Sequence, residues 1–148
     1  MMKMRNQILI GARPERIFSF ASATERWPDL LPHYRYVRVL ERSGNSRLVE
    51  MGARRGWLPV RWRARQINDP EAPAIRFEHV AGWTRGMQVE WRFEPYGGKT
   101  LVSIDHALQF RFPLFADAIG RHIIGRFFVD FIASRTLCRM KEVAESSA

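Results

Sequence analysis

The chain contains almost no cysteine and none of the short motifs that mark the common cofactor and metal sites. Its single cysteine, Cys138, has no partner for an intrachain disulfide and argues against a cysteine-based metal site. The four histidines, His33, His79, His106 and His122, show no ligand spacing, and GxGxxG, Walker, HExxH and GxSxG patterns are absent. We therefore expect no cofactor and no metal ion.

Long apolar runs are absent as well. No charge-free apolar stretch approaches the ~20 residues that cross a bilayer, and residues 1–6 lack the apolar segment of a signal peptide. Acidic residues are few, with 15 Asp and Glu against 24 Lys and Arg. The 148 residues contain no linker or low-complexity tract. We expect a cytoplasmic, soluble protein of one domain, residues 1–148, whose positive charge favours an acidic partner.

The end of the chain predicts one long helix. From Pro113 to about Ser146, apolar residues cover more of a helical circumference than a single core-facing stripe requires. Such a helix must be enclosed or must face a cavity, and Cys138 within it is expected to be a small buried hydrophobe. A helix that follows antiparallel strands predicts a curved sheet around it, with a cavity between the two.

The residues before this helix predict one strand, two short helical segments and six further strands. The first strand comprises Gln7 to Ile10, a helix runs from Pro14 to about Thr24 until Trp27-Pro28 breaks it, and Asp29 to Leu31 form another turn. The six further strands are expected at Tyr34–Arg42, Arg47–Arg54, Trp57–Ile67, Ile75–Val80, Met87–Phe93 and Thr100–Phe110. This order predicts an α+β fold with a seven-stranded antiparallel sheet curved around the C-terminal helix.

Alternation along the strands separates an apolar face from a basic one. Trp62 and Gln66 share the inner face of one strand, while Arg61, Arg63 and Arg65 share the outer face. Burying one lone charge costs several kcal/mol, so these arginines are expected to face water or a partner. The same parity turns further aromatic, apolar and histidine side chains inward, among them His79, Trp91, Ile104 and His106.

Several segments resemble the START-like helix-grip superfamily, and within it the polyketide cyclase/dehydratase group. The similar segments are Ala12–Phe18, Arg26–Pro32, Val37–Glu41, Gly86–Pro95 and Gly97–Thr100, together with the final helix. The resemblance spans nearly the whole chain. It implies a helix-grip fold and an internal cavity for a hydrophobic small molecule, on a scaffold that serves aromatases, lipid carriers and ribosome-binding toxins.

The resemblance also suggests site residues. Aromatase/cyclases of the group position their substrate with a Trp and a Tyr near the short helices, and this sequence is similar there with Trp27 and Tyr34. Their W-x-S-x-R strand pattern falls on Trp62, Ala64 and Gln66, so that only the Trp matches.

An aldol cyclisation needs a base near neutral pH and a group that polarises a carbonyl. The candidate catalytic residues are His106, Gln66 and Tyr34, with His79 as another candidate base. The candidate ligand-binding residues are Trp27, Trp62, His79, Trp91 and Ile104. The plainer alternative is that these histidines and tryptophans are core residues and that the arginines form a solvated strand face.

Two functions of different classes remain open. In the first, the protein is an aromatase/cyclase-like enzyme that cyclises or dehydrates an aromatic polyketide-type ligand, and Arg61, Arg63 and Arg65 dock an acidic acyl-carrier protein. In the second, the cavity carries a lipid or quinone, as in coenzyme Q-binding relatives, and the basic face meets an anionic membrane. A ribosome-binding toxin is a third reading. Nucleic acid has only the positive charge in its favour, and a homodimer is left open.

Overall fold

The protein is described by a computed structural model that covers residues 2–82, 84–108 and 128–146. Its strands are β1 (Met2–Ile10), β2 (Tyr34–Ser43), β3 (Ser46–Arg55), β4 (Leu58–Asp69), β5 (Ala74–Gly82), β6 (Gln88–Tyr96) and β7 (Lys99–Leu108). Its helices are α1 (Pro14–Ser22), a 3-10 turn (Thr24–Arg26), α2 (Trp27–Leu30) and α3 (Asp130–Ser146). The strands form one sheet in the order β1-β7-β6-β5-β4-β3-β2, with every neighbouring pair antiparallel. The α+β order predicted from the sequence is confirmed.

Three predicted boundaries are corrected. The first strand begins at Met2 rather than Gln7, because it pairs with β7 from Met2↔Leu108 to Ile10↔Thr100. Trp27 does not break a helix but begins α2, since Pro28 lies in the first helical turn, where a missing N–H costs nothing. Trp57 lies in the β3–β4 turn, outside β4. Of the predicted final helix, Asp130–Ser146 is confirmed, and residues 113–127 lie outside the described residues.

The helix α3 packs on the sheet through one stripe of side chains. Its buried residues are Ala133, Thr136, Leu137, Met140 and Ala144, which recur at helical spacing. Cys138 is exposed, so the expectation that it is buried was wrong: the stripe runs through its neighbour Leu137, and the next position turns away from the sheet. None of the described helices is both long enough and apolar enough to cross a membrane.

Hydrogen bonds join the end of α3 to the turn after β1. The Glu145 carboxylate accepts from the Gly11 backbone N–H at 2.6 Å and from Lys141 Nζ at 2.6 Å. Lys141 Nζ also donates to the Leu9 carbonyl at 3.1 Å. The C-terminal end of α3 therefore lies near the β6–β7 turn, and its N-terminal end lies toward the β3–β4 and β5–β6 turns.

The first two strands lie at opposite edges of the sheet, so α1, the 3-10 turn and α2 must cross its inner face. Gln66 of β4 holds this crossing. Its Oε1 accepts from Thr24 Oγ1 at 2.7 Å, and its Nε2 donates to the Ser22 carbonyl at 2.9 Å and to Asn68 Oδ1 at 2.8 Å. Gln66 is fully buried, so these bonds replace those that water would make.

We predict that Gln66→Leu lowers the free energy of unfolding by about 2–4 kcal/mol, because Thr24 Oγ1 and the Ser22 carbonyl lose a buried partner. Urea unfolding followed by circular dichroism measures the change. The matched control is Arg65→Leu, at the exposed neighbouring position on the same strand, with an expected change within about 0.5 kcal/mol. Equal unfolding midpoints for Gln66→Leu and the unmodified protein would contradict the prediction.

Candidate functional site

A cavity of about 80 Å³ lies between the inner face of the sheet, α2 and the start of α3. Its walls are mainly aromatic and aliphatic. From the sheet and α2 they comprise Trp27, Tyr34, Met51, Val60, Trp62, Phe77, His79, Val89, Trp91, Ile104 and His106, with Thr84 and Met87 from the β5–β6 turn. Phe128, Val129, Ile132, Ala133 and Thr136 close it from the side of α3. Within the described lining there is no Asp, Glu, Lys or Arg.

Trp27 lies at the centre of an aromatic cluster. Its ring centroid is 5.0 Å from that of Tyr34, 5.8 Å from that of Trp91 and 6.2 Å from that of Phe77. Trp62 stacks on His79 with centroids 5.6 Å apart and an interplanar angle of 11°. Flat rings that hold one another in this way offer planar surfaces on which another aromatic ring can pack.

Two buried polar atoms of the lining have no hydrogen-bond partner among the described residues. They are Nε1 of Trp27 and Nδ1 of His106, whose residues are 2% and 9% exposed. A buried polar atom without a partner costs about 1–3 kcal/mol, so nearly all such atoms in native proteins bind protein, water or ligand. The residues that carry these two atoms line the cavity, so a ligand that reached them would meet an indole donor and an imidazole nitrogen.

Both cavity histidines are neutral at pH 7. Burial lowers the pKa of His79 to about 3, and the nearby His106 adds to the effect. Burial also lowers the pKa of His106 to about 4, against the opposing influence of Asp105. His79 Nδ1 is hydrogen bonded to Thr84 Oγ1 at 2.6 Å, whereas His106 Nδ1 has no partner among the described residues.

Tyr34 and Thr136 form a second polar group at the α3 side of the cavity. Thr136 Oγ1 donates to the Ile132 carbonyl at 2.7 Å, so His33 Nε2, at 2.8 Å, is the donor to Thr136. Burial raises the pKa of Tyr34, against a smaller lowering by its hydrogen bond to Thr136. The phenol is therefore un-ionised, and because Thr136 Oγ1 gives its proton to Ile132, the Tyr34 hydroxyl donates to Thr136.

The structure brings together all but one of the site residues predicted from the sequence. Gln66 is the exception: it does not line the cavity, and its amide is engaged by Thr24, Ser22 and Asn68. This position argues against a catalytic role. The sequence analysis missed several lining residues, of which Met51 and Phe77 share the inward parity of their strands. Thr84 and Thr136 carried no sequence signal, because a turn and a helix bring them to the cavity.

The outer face of β4 carries the three predicted arginines, all exposed. Arg63 Nε lies 3.0 Å from Glu50 Oε1, and this contact lowers the pKa of the Glu50 carboxyl. Arg61 and Arg65 make no ion pair with a described carboxylate. The face is therefore partly neutralised, with two guanidinium groups available to a partner.

The cavity is small for a multi-ring ligand. Its volume of about 80 Å³ accommodates several water molecules, whereas pockets for drug-sized ligands typically measure roughly 300 Å³ or more. Met51 and Met87 belong to the lining, and methionine has a flexible, unbranched side chain that repacks readily. A ligand of several rings requires such side chains to move aside.

Comparisons with known proteins agree with this architecture. The family model described as "Polyketide cyclase / dehydrase and lipid transport" matches residues 10–127. The Zhui aromatase/cyclase of a Streptomyces species superposes with a TM-score of 0.85 at 16% identity, over 97% of this chain and 93% of that one. A protein of Thermus thermophilus gives 0.82 at 22% identity, over 99% and 100% of the two chains.

A START superfamily protein of Mycobacterium smegmatis gives a TM-score of 0.69 at 14% identity, over 95% of this chain and 98% of that one. Identities this low establish the fold alone, and they confirm the helix-grip architecture. No curated protein sequence matches the chain.

We predict that the protein loses stability in mild acid. Burial lowers the pKa of His79 to about 3 and those of His33 and His106 to about 4, from 6.5. Between these values the unfolded chain binds more protons than the folded one, so the free energy of unfolding falls as pH drops below 6.5. Each histidine contributes up to about 1.4 kcal/mol per pH unit.

Urea unfolding at pH 7, 5.5 and 4.5 measures this slope. His106→Gln removes one titrating group, so its stability is expected to fall less steeply over the same window. The control Leu40→Gln, at an exposed position of β2, is expected to keep the slope of the unmodified protein. A pH-independent unfolding midpoint in the unmodified protein would show that these histidines do not titrate as described.

Proposed function

Because the chain belongs to the polyketide cyclase/dehydrase and lipid transport family, we propose that its cavity binds an aromatic polyketide-type ligand and assists its cyclisation or dehydration. The observation that carries this proposal is a pair of polar atoms without a partner among the described residues, Trp27 Nε1 and His106 Nδ1, whose residues line a mainly aromatic and aliphatic cavity. Polyketide intermediates carry carbonyl and hydroxyl groups on a carbon skeleton, so they match both kinds of surface.

The two atoms suit complementary steps. The Trp27 N–H donates to a carbonyl oxygen and polarises that carbonyl, while neutral His106 accepts the proton from the carbon next to a second carbonyl. A carbon–carbon bond then forms, and protonated His106 returns its proton to the polarised oxygen, which becomes a hydroxyl group. In a dehydration, His106 takes a second proton from the carbon next to the one that carries this hydroxyl and returns it to the departing hydroxyl, which leaves as water. An imidazole whose pKa is about 4 accepts a proton reluctantly and returns it readily, which favours the dehydration.

The remaining lining residues orient the ligand in this proposal. Trp62 and Trp91 offer ring faces, Ile104 fills the space between strands, and His79 is held by Thr84 and Trp62. The Tyr34 hydroxyl donates its proton to Thr136, so its oxygen can accept a hydrogen bond from a ligand hydroxyl on the α3 side of the cavity. Catalysis is assigned to His106 with Trp27 as the donor and Tyr34 as an acceptor that orients the ligand, and Gln66 has no part in it.

A specific observation favours a second candidate function, a carrier for a lipid or quinone. The described lining contains no charged side chain that would stabilise an oxyanion, and the histidines are weak bases. Native mass spectrometry of the protein purified from its own host, compared with denatured protein, separates the candidates. A bound quinone or phospholipid favours the carrier, whereas a polyketide-like aromatic favours the enzyme.

The proposal includes a partner for the outer face of β4. Arg61 and Arg65 form no ion pair with a carboxylate of the described residues, and Arg63 is held by Glu50. An acidic acyl-carrier protein that delivers a tethered intermediate fits this charge. The carrier alternative assigns the same arginines to an anionic membrane surface.

We predict that the cavity prefers an aromatic probe that carries oxygen over one that does not. 1-Naphthol and naphthalene differ by one hydroxyl group, and tryptophan fluorescence reports both because three tryptophans line the cavity. One hydrogen bond to a buried donor or acceptor contributes about 1.5 kcal/mol, or roughly tenfold in Kd. Trp27→Phe and His106→Leu are each expected to weaken 1-naphthol binding by about that factor relative to naphthalene.

Glu78→Gln is the control, since Glu78 precedes His79 on β5 but faces outward. It is expected to bind both probes as the unmodified protein does. If both probes bound equally well and neither cavity variant altered their ratio, the two polar atoms would have no role in ligand recognition and the proposal would fail.

A further inference from the structure

The β3–β4 hairpin carries the most exposed large hydrophobic side chain among the described residues. Trp57 is 89% exposed and stands at the tip, where Gly56 turns the backbone with φ +60°. Leu58 beside it is half-buried and Pro59 is exposed, so the tip is apolar. A single exposed hydrophobic residue is ordinary on a protein surface. Trp57 indicates a function only because of the residues that surround it.

Arginines surround this tip on two sides. Arg54 and Arg55 precede the turn, and Arg135 and Arg139 of α3 face it across a groove. The Arg55 and Arg135 guanidinium groups lie over the Phe131 ring, 4.9 and 5.3 Å from its centroid.

The groove has a surplus of positive charge. Its described lining includes one carboxylate, Glu142, which is bonded to Arg139 at 2.7 Å. Arg54 and Arg135 make no ion pair with a described carboxylate. The hairpin tip therefore stands beside guanidinium groups that an anionic surface could neutralise.

The tip lies at the cavity end of the molecule. The β3–β4 and β5–β6 turns share one end of the sheet, and Thr84 and Met87 of the second turn line the cavity. Val60, three residues after Trp57, lines it as well, as does Ile132, the neighbour of Phe131. A surface that met the hairpin tip would therefore lie close to the cavity.

We propose that this end of the molecule docks on an anionic lipid bilayer, with Trp57 among the headgroups and the neighbouring arginines near lipid phosphates. Tryptophan favours the interface between headgroups and acyl chains, and each arginine near an anionic membrane adds to the attraction. One inserted ring with a few basic residues gives reversible rather than permanent attachment. The inference does not depend on the proposed function, since docking occurs whether the cavity catalyses or carries.

Charge and shape favour this occupant over two others. A second copy of the chain would bring the same arginines face to face, and the net charge of +9 opposes that contact. Single-stranded nucleic acids bind in basic grooves or on sheets where several aromatic rings stack bases. Here one indole ring projects from a hairpin tip, which suits insertion into an interface.

Co-sedimentation with vesicles tests the proposal. Phosphatidylcholine vesicles with and without about 30% phosphatidylglycerol are mixed with the protein at low salt, and the bound fraction is measured against lipid concentration. We expect binding to the anionic vesicles only, and weaker binding as salt screens the arginines. Trp57→Ser and Arg54→Gln are each expected to reduce the partition coefficient about fivefold. Arg54→Gln removes the attraction of one interfacial cation, and Trp57→Ser removes the ring that enters the headgroup region.

Two variants at the opposite end of the sheet are the matched controls. Tyr96→Ser removes a ring that is 61% exposed before the β6–β7 turn, and Arg42→Gln removes an exposed charge at the β2–β3 turn. Both are expected to bind vesicles as the unmodified protein does. If the control variants lost as much vesicle binding as the hairpin variants, binding would depend on the overall charge of the protein, and the hairpin tip would not be the docking surface.

Three further results would overturn the proposal. They are unchanged vesicle binding by Trp57→Ser, the absence of vesicle binding at low salt, and a dimer in solution that Trp57→Ser dissociates. Circular dichroism confirms that each variant is folded, and the exposure of every substituted side chain makes that the expected result.

Discussion

Two hydrogen bonds of one buried amide hold the helical link between β1 and β2 to the inner face of the sheet. The link is needed because β1 and β2 lie at opposite edges, and six strand spacings of about 4.8 Å separate those edges by roughly 29 Å along the sheet. Gln66 lies on β4, beside the central strand β5, and binds Ser22 and Thr24 where the link passes. A backbone segment on an apolar face needs partners for its polar groups, and this amide supplies them.

The position of Trp27 follows from that anchorage. Trp27 begins α2 three residues after Thr24, and its ring reaches Phe77 of β5 and Trp91 of β6. A helix is about 10–12 Å wide, so α3 covers only part of the inner face, and the aromatic rings of the link cover more of it. The cavity is the space that α3, the link and the sheet leave between them.

The burial of the cavity residues beneath α3 and the helical link determines which chemical groups the cavity can offer a ligand. Because burial lowers the pKa values of His79 and His106 to about 3 and 4, neither ring carries charge at pH 7. An uncharged donor and an uncharged acceptor suit ligands with carbonyl and hydroxyl groups rather than ionic ones. The basic charge of the protein is found instead on its outer surfaces, at the β4 arginines and around the β3–β4 hairpin.

The sequence predicted which face of the sheet a side chain occupies, but it did not predict which groups that side chain bonds to. Strand parity correctly assigned Trp62, Trp91 and His106 to the inner face, because successive side chains of a strand must alternate. The same parity turned Gln66 inward but could not show that Thr24, Ser22 and Asn68 would satisfy its amide. Cys138 was misassigned because residues 113–146 are rich in apolar side chains throughout, and the buried stripe of α3 depends on how the helix packs.

The sequence by itself determined the strand order along the chain, the inward and outward faces, the long C-terminal helix as far as it is described, and the resemblance to a family. These features depend on local periodicity and on turn residues, which neighbouring positions specify. The tertiary structure alone decided which inward polar groups have a partner among the described residues and which do not, and that Trp57 stands beside the arginines of α3. Tertiary contacts of this kind join residues far apart in the chain, as in the hydrogen bond between Gly11 and Glu145, 134 positions apart, and no local pattern records them.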